Sequence, residues 1–344
     1  MQKRGITLDN NDKLVEVLSS KKDDNGLPNK IIERLKEKRY TILELSNYFD
    51  VSPNRIKSII NEFIEKRLTL DIVDDTYLVL PQPKKHEEPI KINNKKYKEK
   101  EIAFGAIADT HIGSLYERLD VLNALYDRFE DYGITTVYHG GNFIDGECRF
   151  NKGDIYVHGA DRQIKNFVEK YPQRKGIITY FIAGDDHEGW YVQREKVNIG
   201  QITQDEAERQ GRKDLVYIGY MERDIELHQT KGYSTIRIIH GGGGSAYAHS
   251  YSSQKYTESL QGGDKPQIVL IGHFHKFEWC YPREVHAIQL GTTQDQSPFL
   301  RKKRIQAMVG GCVVWIKQNE LGIFTSVKVE WIPFYDLKFY AYKW

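Results

Sequence analysis

Beyond residue 100 the chain repeats one pattern, a short apolar, β-prone run that closes on a polar motif. The runs are EIAFGAIA, TTVYHG, GIITYFIAG, STIRIIHG, QIVLIGH, HAIQLG and CVVWI, and helical stretches separate the early ones. Apolar runs of this length, bounded by glycine and polar residues, read as strands of a largely buried sheet. Their alternation with helices predicts an α/β sheet whose loops gather at the carboxyl ends of the strands, where such sheets bind ligands. The polar motifs sit at those ends.

Ahead of this region the pattern differs. Residues 1–28 are polar, end in DDNGLPN and show no apolar period, so no element is assigned to them and partial disorder is expected. From Lys30, the spacing of Ile31, Ile32 and Leu35 predicts one helix. Thr41 and Glu44 form a capping box for a second, and Ser52-Pro53 opens a third that runs to Arg67 through Ile56, Ile59, Ile60, Phe63 and Ile64. LTLDIVDDTYLVL then reads as a hairpin turning at Asp74-Asp75. Residues 29–80 thus resemble a winged helix-turn-helix module, with Asn54, Arg55, Lys57, Ser58 and Asn61 of the third helix as candidate DNA-facing side chains. Glu62 and Glu65 dilute the positive charge of that helix, which keeps a protein-docking or dimerisation role open. Residues 81–100, rich in Pro and Lys, read as a linker whose lysines keep it soluble or touch phosphates.

The chemistry lies in five motifs. Asp109-Thr110-His111 follows EIAFGAIA, and its one-residue spacing lets a carboxylate oxygen and an imidazole nitrogen leave the strand end toward one point. Gly140-Gly141-Asn142-Phe143-Ile144-Asp145 follows TTVYH, and Gly184-Asp185-Asp186-His187-Glu188 follows GIITYFIA. His240 precedes four glycines, and His273-Phe274-His275 follows QIVLIG. In order and context the set resembles the calcineurin-like metallophosphoesterase family, whose pattern is DxH, GDxxD, GNH(D/E), a lone His, then GHxH. The resemblance covers residues 101–295. It implies a sandwich of two mixed sheets flanked by helices, preceded here by the small winged-helix domain. It also implies two divalent metal ions, which clamp phosphoryl oxygens and lower the pKa of a bound water. Asp109, His111 and His275 would hold the first ion, Asp186, His240 and His273 the second, and position 142 would bridge them. His187 would protonate the leaving oxygen, oriented by Asp145. Such mixed carboxylate and imidazole sets suit manganese first, with iron or zinc as alternatives.

Two positions depart from that pattern in opposite senses: Asn142 stands where the family has Asp, and Asp186 where it has Asn. The exchange keeps the number of carboxylates. It reads as a compensated natural variant, in which the second ion binds weakly or Asp186 takes over the bridge, rather than as an inactivating change at Asn142 alone. Between Asp145 and the third motif, GECRFNKGDIYVHGADRQ is a polar loop from which Arg149 and His158 are candidates for substrate phosphates, with an ion pair or helix-start role as the plain alternative. His139 matches no motif position and reads as structural. The GGGGS run, residues 241–245, lacks the Lys and spacing of a phosphate loop and reads as backbone allowing close approach to the second ion. The aromatic tail WIPFYDLKFYAYKW is read as packing, with base stacking as the alternative.

Length and composition bound the rest. A chain of 344 residues, 28% charged and 40% hydrophobic, is an ordinary globular protein of two domains. Lys plus Arg number 50 against 48 Asp plus Glu, so any attraction to polyanions must be local. No apolar stretch approaches the roughly 20 residues that span a bilayer, and MQKRGITLDNNDKLVEV has no apolar leader core, so a cytoplasmic protein without membrane partners is expected. Cys148, Cys280 and Cys312 lie far apart and read as inert reduced thiols. The leading functional expectation is a nuclease-like phosphodiesterase acting on DNA, with general likeness to the DNA-repair branch of the family. Two alternatives stand beside it: a phosphoesterase for a small phosphoester or phosphoprotein with the front domain docking a protein partner, and a catalytically impaired DNA-binding protein.

Overall fold

A computed structural model describes residues 26–65, 70–79, 88–97, 100–149, 151–244 and 248–334. The disorder expected near the start and the aromatic tail from 335 onward lie outside the described residues, apart from Trp331, Ile332, Pro333 and Phe334. The chain divides into two units, 1–85 and 86–344.

In the first unit, helix α1 (Leu27–Glu37) buries Ile31, Ile32 and Leu35. Strand β1 (Tyr40–Thr41) leads into α2 (Ile42–Phe49). The Glu44 N–H donates to the Thr41 hydroxyl at 3.1 Å while the Thr41 N–H donates to the Glu44 carboxylate at 2.7 Å, closing the capping box that the spacing predicts. Such a cap satisfies two backbone N–H groups at the helix start. Helix α3 (Pro53–Glu65) begins after Ser52, whose hydroxyl accepts from the Arg55 N–H at 3.4 Å. It buries Ile56, Ile59, Ile60 and Phe63 in a core shared with the other two helices. β2 (Leu70–Val73) and β3 (Thr76–Val79) form the hairpin, with Asp74 and Asp75 both at positive φ, the backbone that a two-residue turn of matching twist demands. The antiparallel order is β1-β3-β2. Only β1 was not anticipated, because two residues carry no period.

The second unit holds two six-stranded mixed sheets. One has the order β15-β14-β5-β6-β7-β8, built from β5 (Glu101–Ile107), β6 (Thr136–His139), β7 (Ile178–Ala183), β8 (Leu215–Tyr220), β14 (Gly310–Gln318) and β15 (Phe324–Pro333). The other has the order β12-β13-β11-β10-β9-β4, built from β4 (Ile90–Asn93), β9 (Glu222–His228), β10 (Tyr233–His240), β11 (Ile268–Gly272), β12 (Phe277–Cys280) and β13 (His286–Leu290). Strand alternation explains their stacking. Phe104 and Ala106 of β5 and Cys312, Val314 and Ile316 of β14 meet Ile236 and Ile238 of β10, Leu270 of β11 and Ile288 of β13 between the sheets. Residues of opposite parity, such as Ile107 and Val313, face outward onto α4 (Leu119–Asp131), α5 (Ala160–Lys170) and α7 (Ile199–Arg209). The far face of the other sheet packs Ile239, Val269 and Ile271 against Tyr256 of α8 (Tyr251–Ser259). Two mixed sheets flanked by helices are the architecture that the motif order implied.

One expectation needs correcting. Residues 90–93, placed in the linker, form a strand at the edge of the second sheet, with Ile90 opposite Ile225 and Ile92 opposite Leu227. The alternation Ile-Lys-Ile-Asn is that of a strand with one buried face, which the surrounding lysines hid. Among the described residues no helix is long and apolar enough to cross a membrane. For the site, the consequence is positional: β5, β6 and β7 run parallel, so the loops after Ile107, His139 and Ala183 leave side by side. β10 and β11 are parallel with His240 opposite Gly272, one residue before His273.

Candidate metal centre

The loops turn abruptly as they leave the strands. Asp109, His111, Asn142, His187, His273 and His275 all have φ between 38 and 85°. For residues with a Cβ this left-handed conformation costs roughly 1–2 kcal/mol each, and strain of this kind collects at functional sites. Loop-to-loop hydrogen bonds hold it. The Asp109 N–H donates to the Gly141 carbonyl at 3.0 Å and the His111 N–H to the Asn142 carbonyl at 2.9 Å. The Thr292 hydroxyl donates to the Asp109 carbonyl at 2.6 Å. His139 braces the same turn. The Gly141 N–H donates to its Nδ1, so Nε2 carries the proton and donates to the Thr110 hydroxyl at 3.1 Å. Burial pushes His139 down to about 3, which keeps it neutral and structural. Two glycines are obligatory: a Cβ on Gly141, at φ 91°, would lie 2.5 Å from the His240 ring, and one on Gly184 would lie 2.7 Å from that ring and 2.8 Å from the Asn142 amide oxygen.

Two donor sets result, Asp109 with His111 and His275, and Asp186 with His240 and His273; in each, the ligand atoms lie within 4.8 Å of one another. In the first, the His111 and His275 Nε2 atoms are 3.2 Å apart, and each is 3.7 Å from Asp109 Oδ1. His111 Nδ1 donates to Asp145 Oδ1 at 2.8 Å, which turns its Nε2 lone pair toward the other two atoms. In the second, His240 Nδ1 lies 2.8 Å from the Gly140 carbonyl and His273 Nε2 lies 3.0 Å from the Gly243 carbonyl. A carbonyl only accepts, so the protons are on those nitrogens. The opposite nitrogens then face Asp186, His240 Nε2 at 3.0 Å from Oδ1 and His273 Nδ1 at 3.2 Å from Oδ2. Lone pairs facing lone pairs at such distances require a proton or a cation between them. Asp109 Oδ1 and Asn142 Oδ1 are buried without a hydrogen-bond donor, which completes the picture of a donor shell directed at cations. The residues present fit divalent ions, imidazole and carboxylate donors with a carboxylate behind His111 and carbonyls behind His240 and His273.

The electrostatics follow from burial against these pairings. Burial alone would raise Asp109, but the His275 and His111 imidazoles hold its carboxyl below the usual carboxylate range. Asp186 is driven the same way by His240 and His273. His240 rises to about 9 despite burial, because it is bonded to Asp186. A third grouping, His111 with Asp145 and His187, shares His111 through its other nitrogen and is a hydrogen-bond relay rather than a third metal set. His187 Nδ1 donates to the Asp145 carbonyl at 2.7 Å and lies 3.3 Å from Asp145 Oδ1. Burial opposes its charge, but Asp145 and Asp186 raise it to about 10.

Three residues here escaped the sequence reading. Buried Glu188 accepts from the Asn142 N–H at 2.8 Å and the Gly184 N–H at 2.7 Å through one oxygen, tying the second motif to the third. Burial lifts its carboxyl to about 7. Its place at the end of GDDHE was the available signal. Asn151 donates to the Asp145 carbonyl at 2.9 Å and to its carboxylate at 3.1 Å, fixing the relay from the polar loop. Trp190, on α6 (Gly189–Glu195), lines the cleft that the donor residues border.

That cleft, of about 420 Å³, is bordered by His111, Asn142, Asp186, His187, His273 and His275 on the donor side. Arg149 and His158 do not line it. Arg149 is exposed, and His158, also exposed, has its Nδ1 3.7 Å from a Glu147 carboxylate oxygen. The glycine run does approach the second set, through the Gly243 carbonyl on His273. In the other unit Asn54, Arg55, Lys57, Ser58 and Asn61 are exposed on α3, opposite its buried face. The cysteines are all free; burial pushes the Cys148 thiol far up and the Cys280 and Cys312 thiols up to about 12, consistent with inertness.

No protein-family model matches the chain, and no curated protein does. Among solved structures it is similar to an archaeal phosphodiesterase, at 16% identity and a TM-score of 0.35 over 67% of this chain and 100% of that one. It is similar to Vps29 complexed with zinc from Entamoeba histolytica, at 14% identity and a TM-score of 0.34 over 68% of this chain and 100% of that one. A third is GAP50, the anchor in the inner membrane complex of Plasmodium, at 14% identity and a TM-score of 0.41 over 68% of this chain and 84% of that one.

Proposed function

We propose that the chain is a metal-dependent phosphodiesterase of the calcineurin-like kind that hydrolyses nucleic acid, DNA in the first place, with residues 29–80 acting as a winged helix that engages the substrate through α3. The observation that carries this reading is the pair of donor sets whose lone pairs face one another across 3.0–3.7 Å with the His187–Asp145 relay beside them. Asp109, His111 and His275 would hold one ion, Asp186, His240 and His273 another, with Asn142 contributing its amide oxygen. Bound ions supply positive charge for phosphoryl oxygens and acidify a water.

The remaining work belongs to side chains of this chain. His187, with Nδ1 fixed on the Asp145 carbonyl, presents its Nε2 proton to the departing oxygen of the ester. Asp145 keeps that ring oriented and holds His111 at the same time, so the acid and the first donor set share one carboxylate. Glu188 fixes the backbone of both loops that carry Asn142 and Asp186.

The test is cleavage of single-stranded and duplex DNA and of bis-para-nitrophenyl phosphate by manganese-supplemented protein, before and after chelation. Turnover of DNA and reporter, lost with chelator and restored by manganese, is the expected result. Turnover of the reporter with DNA untouched shifts the substrate to a small phosphoester. Absence of both turnover and bound metal at saturation overturns the reading.

A further inference from the structure

Beside the donor residues the cleft has a wall that the catalytic reading leaves unused. Trp190, Phe274 and Phe299 line it, with Lys276 and Lys303 among the lining cations. Phe299 and Lys303 belong to the short helix α9 (Pro298–Lys303), pinned at its start by the Ser297 hydroxyl, which accepts from the Leu300 N–H at 3.3 Å, and by burial of Leu300. The Lys303 ammonium sits 5.8 Å from the Phe299 ring centroid. Arg301, Lys302, Lys303 and Arg304 are consecutive and exposed. Four adjacent exposed cations at a helix C-terminus raise the local positive potential, which attracts a polyanion, in a chain whose overall charge is nearly balanced.

We infer that this wall is a stacking and phosphate-holding subsite for a single-stranded stretch of nucleic acid, with Phe299 and Trp190 receiving base faces and Lys276, Lys303 and the adjoining basic run receiving the backbone. The inference rests on the proposed phosphodiesterase reading for its substrate class. Three features select a single strand. A cleft of about 420 Å³ has the size of a site for one or two nucleotides and not of a duplex groove. Aromatic side chains can stack only on bases that have left the helix, and such stacking tolerates any sequence. Lys276 and Lys303 reach the cleft from two segments, beside the aromatic rings, so phosphates of a strand whose bases stack there meet cations close by. The carboxylates of the cleft are Asp145 and Asp186 of the relay and second donor set, and Asp154.

The experiment uses manganese-loaded full-length protein, a fluorescein-labelled oligothymidylate, a duplex of equal length and the bis-para-nitrophenyl reporter. Phe299→Ala weakens oligothymidylate binding about tenfold or more, and Phe299→Tyr restores it. Lys302→Glu and Lys303→Glu, at exposed positions that leave the core intact, weaken binding and lower the slope of log affinity against log salt by about 0.7 for each phosphate contact removed. The ratio of single-strand to reporter turnover falls with them. Variants that bind like the parent while the reporter is still hydrolysed overturn the wall and leave the phosphodiesterase reading standing. Tighter binding of the duplex than of the single strand also overturns it. A parent protein that binds the single strand through these residues yet hydrolyses nothing keeps the wall and removes the enzymatic reading.

Discussion

The two donor sets are built from similar residues but differ in how the fold encloses them. Asp109, His111 and His275 are exposed by at most 7% at the side chain, whereas Asp186 and His273 are exposed by 32% and 20%. The first set is locked from behind: Asp109 Oδ2 accepts the His273 N–H at 2.7 Å, and Asp145 holds His111. The second depends on one half-exposed carboxylate, Asp186, that serves both of its imidazoles, and it adjoins the unsatisfied Asn142 oxygen. Preorganisation favours tight binding at the first set, while exposure and a neutral amide weaken the second. Sequential loading, first set before second, is the expected behaviour.

The strongest way to break this contrast is to remove Asp109. Asp109→Ala is expected to abolish uptake at the first set and to lower reporter turnover by about a thousandfold, since a metal's electrostatic assistance is worth several kcal/mol. Elemental analysis together with steady-state kinetics measures both, and a variant that still binds two ions would erase the asymmetry. Next in size is His187→Ala. Loss of a general acid costs about two to four orders of magnitude in rate, and calorimetry should show both ions retained. If metal is lost with the imidazole, His187 is a ligand and the relay assignment fails.

Residues reveal why some of this was legible beforehand. Asp109, His111, Asp186, His240, His273 and His275 were readable because their motifs, taken in order, resemble the calcineurin-like metallophosphoesterase pattern, which implied the two sets; the apolar runs before them placed each motif at a strand end. The capping box at Thr41 and the turn at Asp74-Asp75 were readable because they are local. Glu188, Asn151 and Trp190 were not, since their roles arise from contacts between loops that no period encodes. Arg149 and His158 looked suitable by charge alone, yet the loop presents Asn151 to the site and leaves His158 3.7 Å from Glu147. The tail stacking reading has a partial answer too: Trp331 stacks on Phe277 at 4.4 Å, packing of one strand on another sheet. The strand at 90–93 shows the opposite failure, a real period masked by composition.

A gentler probe of the contrast is pH. His240 in the metal-free chain is raised to about 9 by Asp186, so below that pH an incoming ion must displace a proton from the second set. Affinity there should fall by up to about tenfold per pH unit as pH drops below 9; in the first set burial lowers His275 to about 3, but Asp109 and Asp145 raise His111 against its burial, so a competing proton is present there too. The sign for stability is the reverse. A histidine whose folded pKa exceeds its unfolded value stabilises the metal-free fold fully below about 6.5, and that contribution is lost as pH rises through about 9. Proton release on manganese titration, measured in two buffers of different ionisation enthalpy, checks the first statement. A second-set affinity that does not change between about pH 6 and 9 would sink it.

The smallest expected effect concerns the exchanged pair. Asn142→Asp places a carboxylate beside His240 and Gly184, where the parent has a donorless amide oxygen. Its added charge should tighten the second ion at least tenfold, equivalent to about 1.4 kcal/mol, and leave the first nearly unchanged. In the metal-free state the added buried carboxylate must share the protonated His240 with Asp186, so the variant should melt earlier than the parent without manganese and gain more on loading. The double variant Asn142→Asp/Asp186→Asn separates two accounts of the exchange. If it binds the second ion like the parent, the two positions share one charge requirement and either can meet it. If it binds weakly while Asn142→Asp alone binds tightly, Asp186 is needed where it stands, held between His240 and His273, and the weakness of the second set comes from its exposure rather than from the amide.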